Sequence, residues 1–138
     1  TYLQANFTVT FGSLGARNNV FVTGFYVHTQ LISGAGNPLP PIFDPQGNNN
    51  TQTGATISWN HNLTGLVTLS ANVTAVRTVA NPPFEATTRQ GAATIGLTAV
   101  LSPRTTVSVG ARYQLLRSDV SPEYNEGAVF GGFTYTFK

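Results

Sequence analysis

From Leu3 to Phe11 the chain alternates. Leu3, Ala5, Phe7, Val9 and Phe11 are apolar, and Gln4, Asn6, Thr8 and Thr10 are polar. Successive strand side chains point to opposite faces, so this period of two predicts a β-strand over 1–12 with one dry and one wet face. The same pattern predicts strands over 20–31, 55–63, 66–77, 90–101, 105–116 and 126–138. In the second of these, Phe21, Phe25, Val27 and Leu31 read as the apolar side, and Gly24, Tyr26, His28 and Gln30 as the polar side, with Val22 breaking the alternation. In the last, Val129, Gly131, Phe133, Tyr135 and Phe137 share one face, and Ala128, Gly132, Thr134 and Thr136 share the other, with Phe130 as the exception. Val67–Val73 aligns with Val107–Tyr113 and with Phe21–Val27. The pattern is therefore a repeating hairpin of forty-odd residues whose apolar face keeps odd numbering. The connections alternate in length. Turns at 13–19, 64–65 and 102–104 separate longer loops at 32–54, 78–89 and 117–125. The segment 32–54 holds four Pro, four Gly and an Asn run, which excludes helix or central strand.

Composition decides which solvent meets the apolar face. Charged residues make up 9% of 138, against about a quarter in soluble domains. The polar faces carry Thr, Ser, Asn, Gln and Gly where an exposed soluble sheet carries Lys and Glu. The predicted strands approach the 9–11 residues or so of a tilted membrane strand. Tyr2, Phe11, Phe21, Trp59, Tyr135 and Phe137 lie toward strand ends, where aromatic girdles form. Short turns alternating with longer loops complete the expectation of an all-β, antiparallel, up-and-down transmembrane β-barrel. Seven long strands are visible, and eight or more are needed for closure. With zero Cys there are no disulfides or thiolate metal sites, and a scattered net charge of +2 gives no basis for nucleic-acid binding.

The terminal run Gly132-Phe133-Thr134-Tyr135-Thr136-Phe137 resembles the C-terminal β-signal of Gram-negative outer-membrane barrels, although Lys138 replaces the usual terminal aromatic. The segment 101–137 is similar to the last hairpin of large porin-like barrels, including those associated with exopolysaccharide export. This resemblance implies a bacterial outer-membrane location, a porin-like passive channel or transport component, and insertion by the barrel-assembly machinery, which would read Gly132, Tyr135 and Phe137. It also implies an extracellular 32–54 loop. With the C-terminus periplasmic, counting back seven strands places Thr1 outside the cell. The chain is then expected to be the C-terminal portion of a larger barrel, or to take closing strands from the same or another chain. The alternative is a secreted β-rich fibre subunit that assembles by strand addition and transports nothing.

No catalytic constellation is present, so no enzyme activity and no cofactor are expected. Asp44, Glu85, Asp119, Glu123 and Glu126 fall in loops or at a strand start, and His28 and His61 fall on opposite faces by parity, so no shared metal site is expected. The polar-face candidates for lining a pore are Tyr26, His28, Asn60, Asn72, Arg112 and Gln114. Arg112 has Glu126 as a candidate ion-pair partner. Arg77 and Arg89 flank the 78–89 loop with outward parity, and so are candidates for contacting lipopolysaccharide phosphates or for snorkelling to water. The expected partners are outer-membrane lipid and lipopolysaccharide.

Overall fold

The computed structural model describes residues 2–31, 49–80, 86–119 and 122–137. Seven strands follow one another: β1 (Tyr2–Leu14), β2 (Asn18–Leu31), β3 (Asn50–Asn62), β4 (Val67–Ala80), β5 (Ala86–Ser102), β6 (Thr105–Ser118) and β7 (Tyr124–Tyr135). Each pairs antiparallel with its sequence neighbour, in the order β1-β2-β3-β4-β5-β6-β7. The sheet is open, and β1 and β7 are its two edges. An odd number of strands in a meander leaves these edges parallel to each other, so closure with antiparallel pairing needs an odd number of further strands.

The short turns hold themselves and their neighbours. Gly15 N–H donates to the Asn18 carbonyl at 2.7 Å, and Asn62 N–H donates to the Arg17 carbonyl at 2.8 Å, tying the first turn to β3. Thr64 Oγ1 accepts the N–H groups of Leu66 (3.2 Å) and Val67 (3.1 Å), a hydroxyl-closed turn. Thr136 N–H reaches the Arg104 carbonyl at 3.0 Å, fastening the chain beyond β7 to the β5–β6 turn. A bulge between Val100 and Ser102 leaves Leu101 unpaired just before that turn.

The strands extend beyond the predicted ones at the long-loop end. Asn50–Gly54 belong to β3, Thr78–Ala80 to β4 and Ala86–Arg89 to β5. These extensions are rich in Thr, Asn and Gln on both faces. They carry no alternation, yet they complete the hydrogen-bond ladder. The remainder of the predicted 32–54 loop, through residue 48, lies outside the described residues, as does Glu85.

Register drifts steadily across the sheet. Leu14, where β1 ends, aligns through Asn19, Asn60, Ser70, Gly96 and Gly110 with Phe130, short of the β7 end at Tyr135. At the other end Tyr124 aligns through Leu116, Gln90, Val76, Gly54 and Phe25 with Thr8, short of the β1 start at Tyr2. A drift of about five to six residues of ~3.3 Å over six ~4.8 Å strand spacings tilts the strands by roughly 30–35° from the normal to the line of turns.

The pairing also corrects one predicted face assignment. The odd residues of β1 pair with even residues of β2, as in Phe7↔Tyr26 and Phe11↔Val22, and those pair with odd residues of β3, as in Val22↔Ile57. From β3 to β7 odd residues pair with odd residues. The apolar face is therefore odd everywhere except on β2, where it carries Val20, Val22, Gly24, Tyr26 and His28. Four residues lie between the paired Leu14 and Asn19, and that count flips the parity.

Phe21 and Phe25 consequently lie on the polar face, and the glycines opposite them give the reason. A Cβ built on Gly12 would lie 2.9 Å from the Phe21 ring, and one on Gly54 would collide with the Phe25 ring. Phe130 covers Gly110 in the same way. Each ring lies across a bare strand position, an aromatic cover that restores packing where Gly leaves none. This accounts for Phe130 breaking the alternation in β7.

Candidate pore-facing surface and rim

None of the described residues is buried. Fifteen large apolar side chains on the odd-type face are exposed: Leu3, Phe7, Val9, Phe11, Val22, Tyr26, Ile57, Val73, Ile95, Val109, Tyr113, Leu115, Val129, Phe133 and Tyr135. At roughly half exposure, covering each is worth on the order of 1 kcal/mol. The uncovered face thus forgoes about as much as the ~5–15 kcal/mol that holds a whole domain folded. This face requires an apolar cover.

Its shape is a band. Along the odd face no charge occurs in Leu3–Phe11, Val67–Ala75, Gly91–Ala99, Val107–Leu115 or Gly127–Tyr135, nine residues on each of five strands. On β2 and β3 the same face is likewise free of Asp, Glu, Lys and Arg, and its apolar run narrows to Val20–Tyr26 and Ala55–Trp59. Nine residues at ~3.3 Å, tilted by about 30–35°, rise roughly 22 Å between first and last Cα, close to the ~25 Å apolar belt of membrane barrels. The edges of the band slant with the turns: its long-loop edge falls from Leu3 on β1 to Gly127 on β7, well below the level of Leu3 in the register. At the short-turn edge Trp59 stacks on His61 with centroids 5.8 Å apart. Asn18 Oδ1 lies 2.6 Å from His61 Nδ1 and accepts from Trp59 Nε1 at 3.4 Å. Tyr135 meets Phe137 edge-on at 4.7 Å.

The other face joins strand to strand by side-chain hydrogen bonds. Thr10 meets Thr23 at 3.1 Å, Thr56 meets Thr74 at 3.2 Å, and Thr88 meets Ser118 at 3.2 Å. Asn72 Nδ2 donates to Ser58 Oγ at 2.8 Å, and Ser70 Oγ donates to the Gly96 carbonyl at 3.3 Å. Of the predicted pore-lining residues, Asn60, Asn72, Arg112 and Gln114 share this face; Asn72 and Arg112 stand in one row, separated by Thr94. Arg112 lies 3.5 Å from Glu126 Oε1, which is the ion pair recorded among the described residues. Tyr124 donates its hydroxyl to the second oxygen of Glu126. Both charged side chains remain 41–48% exposed, so the pair adds at most about 1 kcal/mol to stability and acts chiefly as a fixed dipole on the polar face.

Tyr26 and His28 do not join that group. They lie on the apolar face, beyond or at its long-loop edge, with His28 Nδ1 3.0 Å from Thr51 Oγ1. His28 and His61 are therefore on the same face, not opposite ones. His28 pairs with Thr51, ten residues from His61 on β3, so roughly 33 Å keeps them apart. Among the described residues no three His, Cys, Asp or Glu side chains cluster as a metal site.

Arg77 and Arg89 are direct cross-strand partners, and Arg89 pairs in turn with Arg117. The three lie in one row on the odd face, immediately beyond the charge-free band. Arg117 lies within the predicted 117–125 loop, yet it belongs to β6 and continues the odd series Tyr113, Leu115. Like charges directly opposed disfavour pairing, by roughly 1 kcal/mol per neighbouring pair at 4–5 Å even in the dielectric of water. None of the three has an ion-pair partner among the described residues.

Of the C-terminal residues singled out, Gly132 faces the polar side against Ser108, and Tyr135 faces the apolar side. Both belong to or adjoin the free edge strand β7. No family model, curated protein or solved structure matches this chain.

Proposed function

We propose that the chain is a wall segment of an outer-membrane β-barrel and acts in a porin-like passive channel or transport component, with the odd-type face in lipid and the Thr/Ser/Asn face toward an aqueous lumen. The observation that carries this reading is the slanted charge-free band, whose height and tilt suit an apolar belt, backed by a face of laddered polar side chains. Further strands, from the same or another chain, close the sheet. Eight strands would fill their interior with side chains, so conduction calls for a larger barrel. Insertion is assigned to the barrel-assembly machinery acting on β7, with Gly132, Tyr135 and Phe137 as its contacts. A secreted fibre subunit would use the same free edges, and would have to cover this face by stacking sheet on sheet.

Planar-bilayer recording tests the channel. The protein is expected to form ohmic pores, and Arg112→Glu, which places two carboxylates side by side with Glu126, is expected to shift ion selectivity toward cations. Absence of any conductance, with the protein shown to be inserted, rejects transport. Unchanged selectivity rejects Arg112 as a lumen residue.

A further inference from the structure

We infer that the row Arg77–Arg89–Arg117 is a binding site for the phosphate-bearing headgroup of an outer-leaflet lipid. The inference rests on the membrane-barrel reading above and adds to it a specific ligand chemistry at a specific depth. Three lines meet at this row. First, three guanidinium groups from three adjacent strands are opposed in register without an ion-pair partner among the described residues. Such an arrangement is repulsive alone and becomes favourable around a shared anion. Second, the row closes the charge-free band. Arg77 follows Val67–Ala75, Arg89 adjoins Gly91–Ala99 and Arg117 follows Val107–Leu115. Measured from the lower edge of the band at Val67, Ala99 and Val107, each of the three Cα atoms stands ten residues up its tilted strand, roughly 27–29 Å, just past a ~25 Å apolar belt and at headgroup depth. Third, all three side chains are exposed on the lipid-side face, and guanidinium forks bind phosphate oxygens bidentately.

The surroundings make the site selective. A hollow beside the row is lined by Thr87, Arg89, Arg117, Ser118, Asp119 and Glu123. Asp119 is already engaged, its Oδ2 accepting the Thr87 N–H at 3.2 Å. Asp119 keeps its charge while accepting that N–H, so Asp119 and Glu123 together set two carboxylates against the three guanidinium groups of the row and leave it one positive charge in excess. The next residues of the same face toward the loops are Thr51, Val79 and Thr87, uncharged partners for the sugar or glycerol beyond a phosphate. The source assigned is a lipid, not free phosphate, because the apolar band lies directly below the row, where the acyl chains of a headgroup held there would rest.

The test is native mass spectrometry of the detergent-extracted protein, comparing wild type with R77Q/R89Q/R117Q and with R17Q/R104Q at the opposite, short-turn rim. Retained folding in each sample is checked by resistance of the barrel to SDS before heating. The expected result is a retained phospholipid or phosphorylated glycolipid on wild type and on R17Q/R104Q, reduced at least about tenfold on the triple variant. Equal retention by all three proteins overturns the site, and so does equal loss from both variants. Displacement of the lipid by millimolar inorganic phosphate overturns the lipid assignment. A wild-type protein that extracts without detergent and shows no SDS-resistant fold overturns the barrel reading itself, which distinguishes that failure from a failure of the arginine row.

Discussion

On the proposed barrel reading, Ile95→Arg is expected to destabilise the protein in a bilayer by roughly 2–4 kcal/mol, the cost of an arginine at the midplane of a barrel's lipid face. Ile95 is the central residue of the charge-free run Gly91–Ala99 and is about half exposed on the apolar face. Its partners there, Ala71 and Ala111, offer no counter-charge. Ser70→Arg is the matched control. Ser70 pairs with Gly96 on the opposite face at nearly the same depth, so its cost is expected to stay near the ~1 kcal/mol of the lost hydrogen bond to the Gly96 carbonyl. Urea titration in phospholipid vesicles, followed by tryptophan fluorescence of Trp59, reads both. Equal costs for the two variants contradict the assignment of lipid and lumen faces.

Gly110→Ala is expected to be the more damaging of two glycine substitutions that look equivalent in the sequence. A Cβ at Gly110 would collide with the Phe130 ring and would sit 2.7 Å from the Ile95 carbonyl oxygen. The ring can turn aside, but the paired backbone of β5 cannot, so strain of about 1–3 kcal/mol is expected. Phe130→Ala should fail to relieve it fully. Gly54 is built the same way, beneath Phe25 and 2.8 Å from the Ala75 oxygen. Gly24, by contrast, lies on the apolar face with nothing within 4 Å of its Cβ, and Gly24→Ala should be neutral or stabilise by about 0.4–1 kcal/mol through the unfolded chain. The same vesicle titration checks the order.

The glycine pairs also mark where the sequence stops being legible. Seven strands, their meander order and the alternation of short and long connections follow from periodicity and turn residues. So does the odd apolar face of β1 and β3–β7, because in those strands one side chain set is consistently apolar. β2 is apolar on both sides: Val20, Val22 and Tyr26 face the apolar surface, while Phe21 and Phe25 cover Gly12 and Gly54. Its parity depends on how many residues the first turn spends, a count that turn-forming residues alone do not fix. That one ambiguity is why alternation alone predicts the polar face for Tyr26 and His28, whereas the pairing places them on the apolar one. The pairing of Arg112 with Glu126 was readable from parity and proximity to the last hairpin. The arginine row was only half readable, because strands continue past the band in Thr- and Asn-rich stretches that lack alternation, and Arg117 falls within such a continuation.

The central claim is that one face of this sheet meets lipid and the other meets water. A nitroxide scan along β4, from Val67 to Arg77, in the protein reconstituted into vesicles tests it most directly. Oxygen accessibility is predicted to peak at 67, 69, 71, 73 and 75, highest near 71, and to drop at Arg77. Accessibility to a water-soluble nickel chelate is predicted to peak at 68, 70, 72 and 74. A scan with no period of two, or with the nickel chelate reaching the odd positions, contradicts the account.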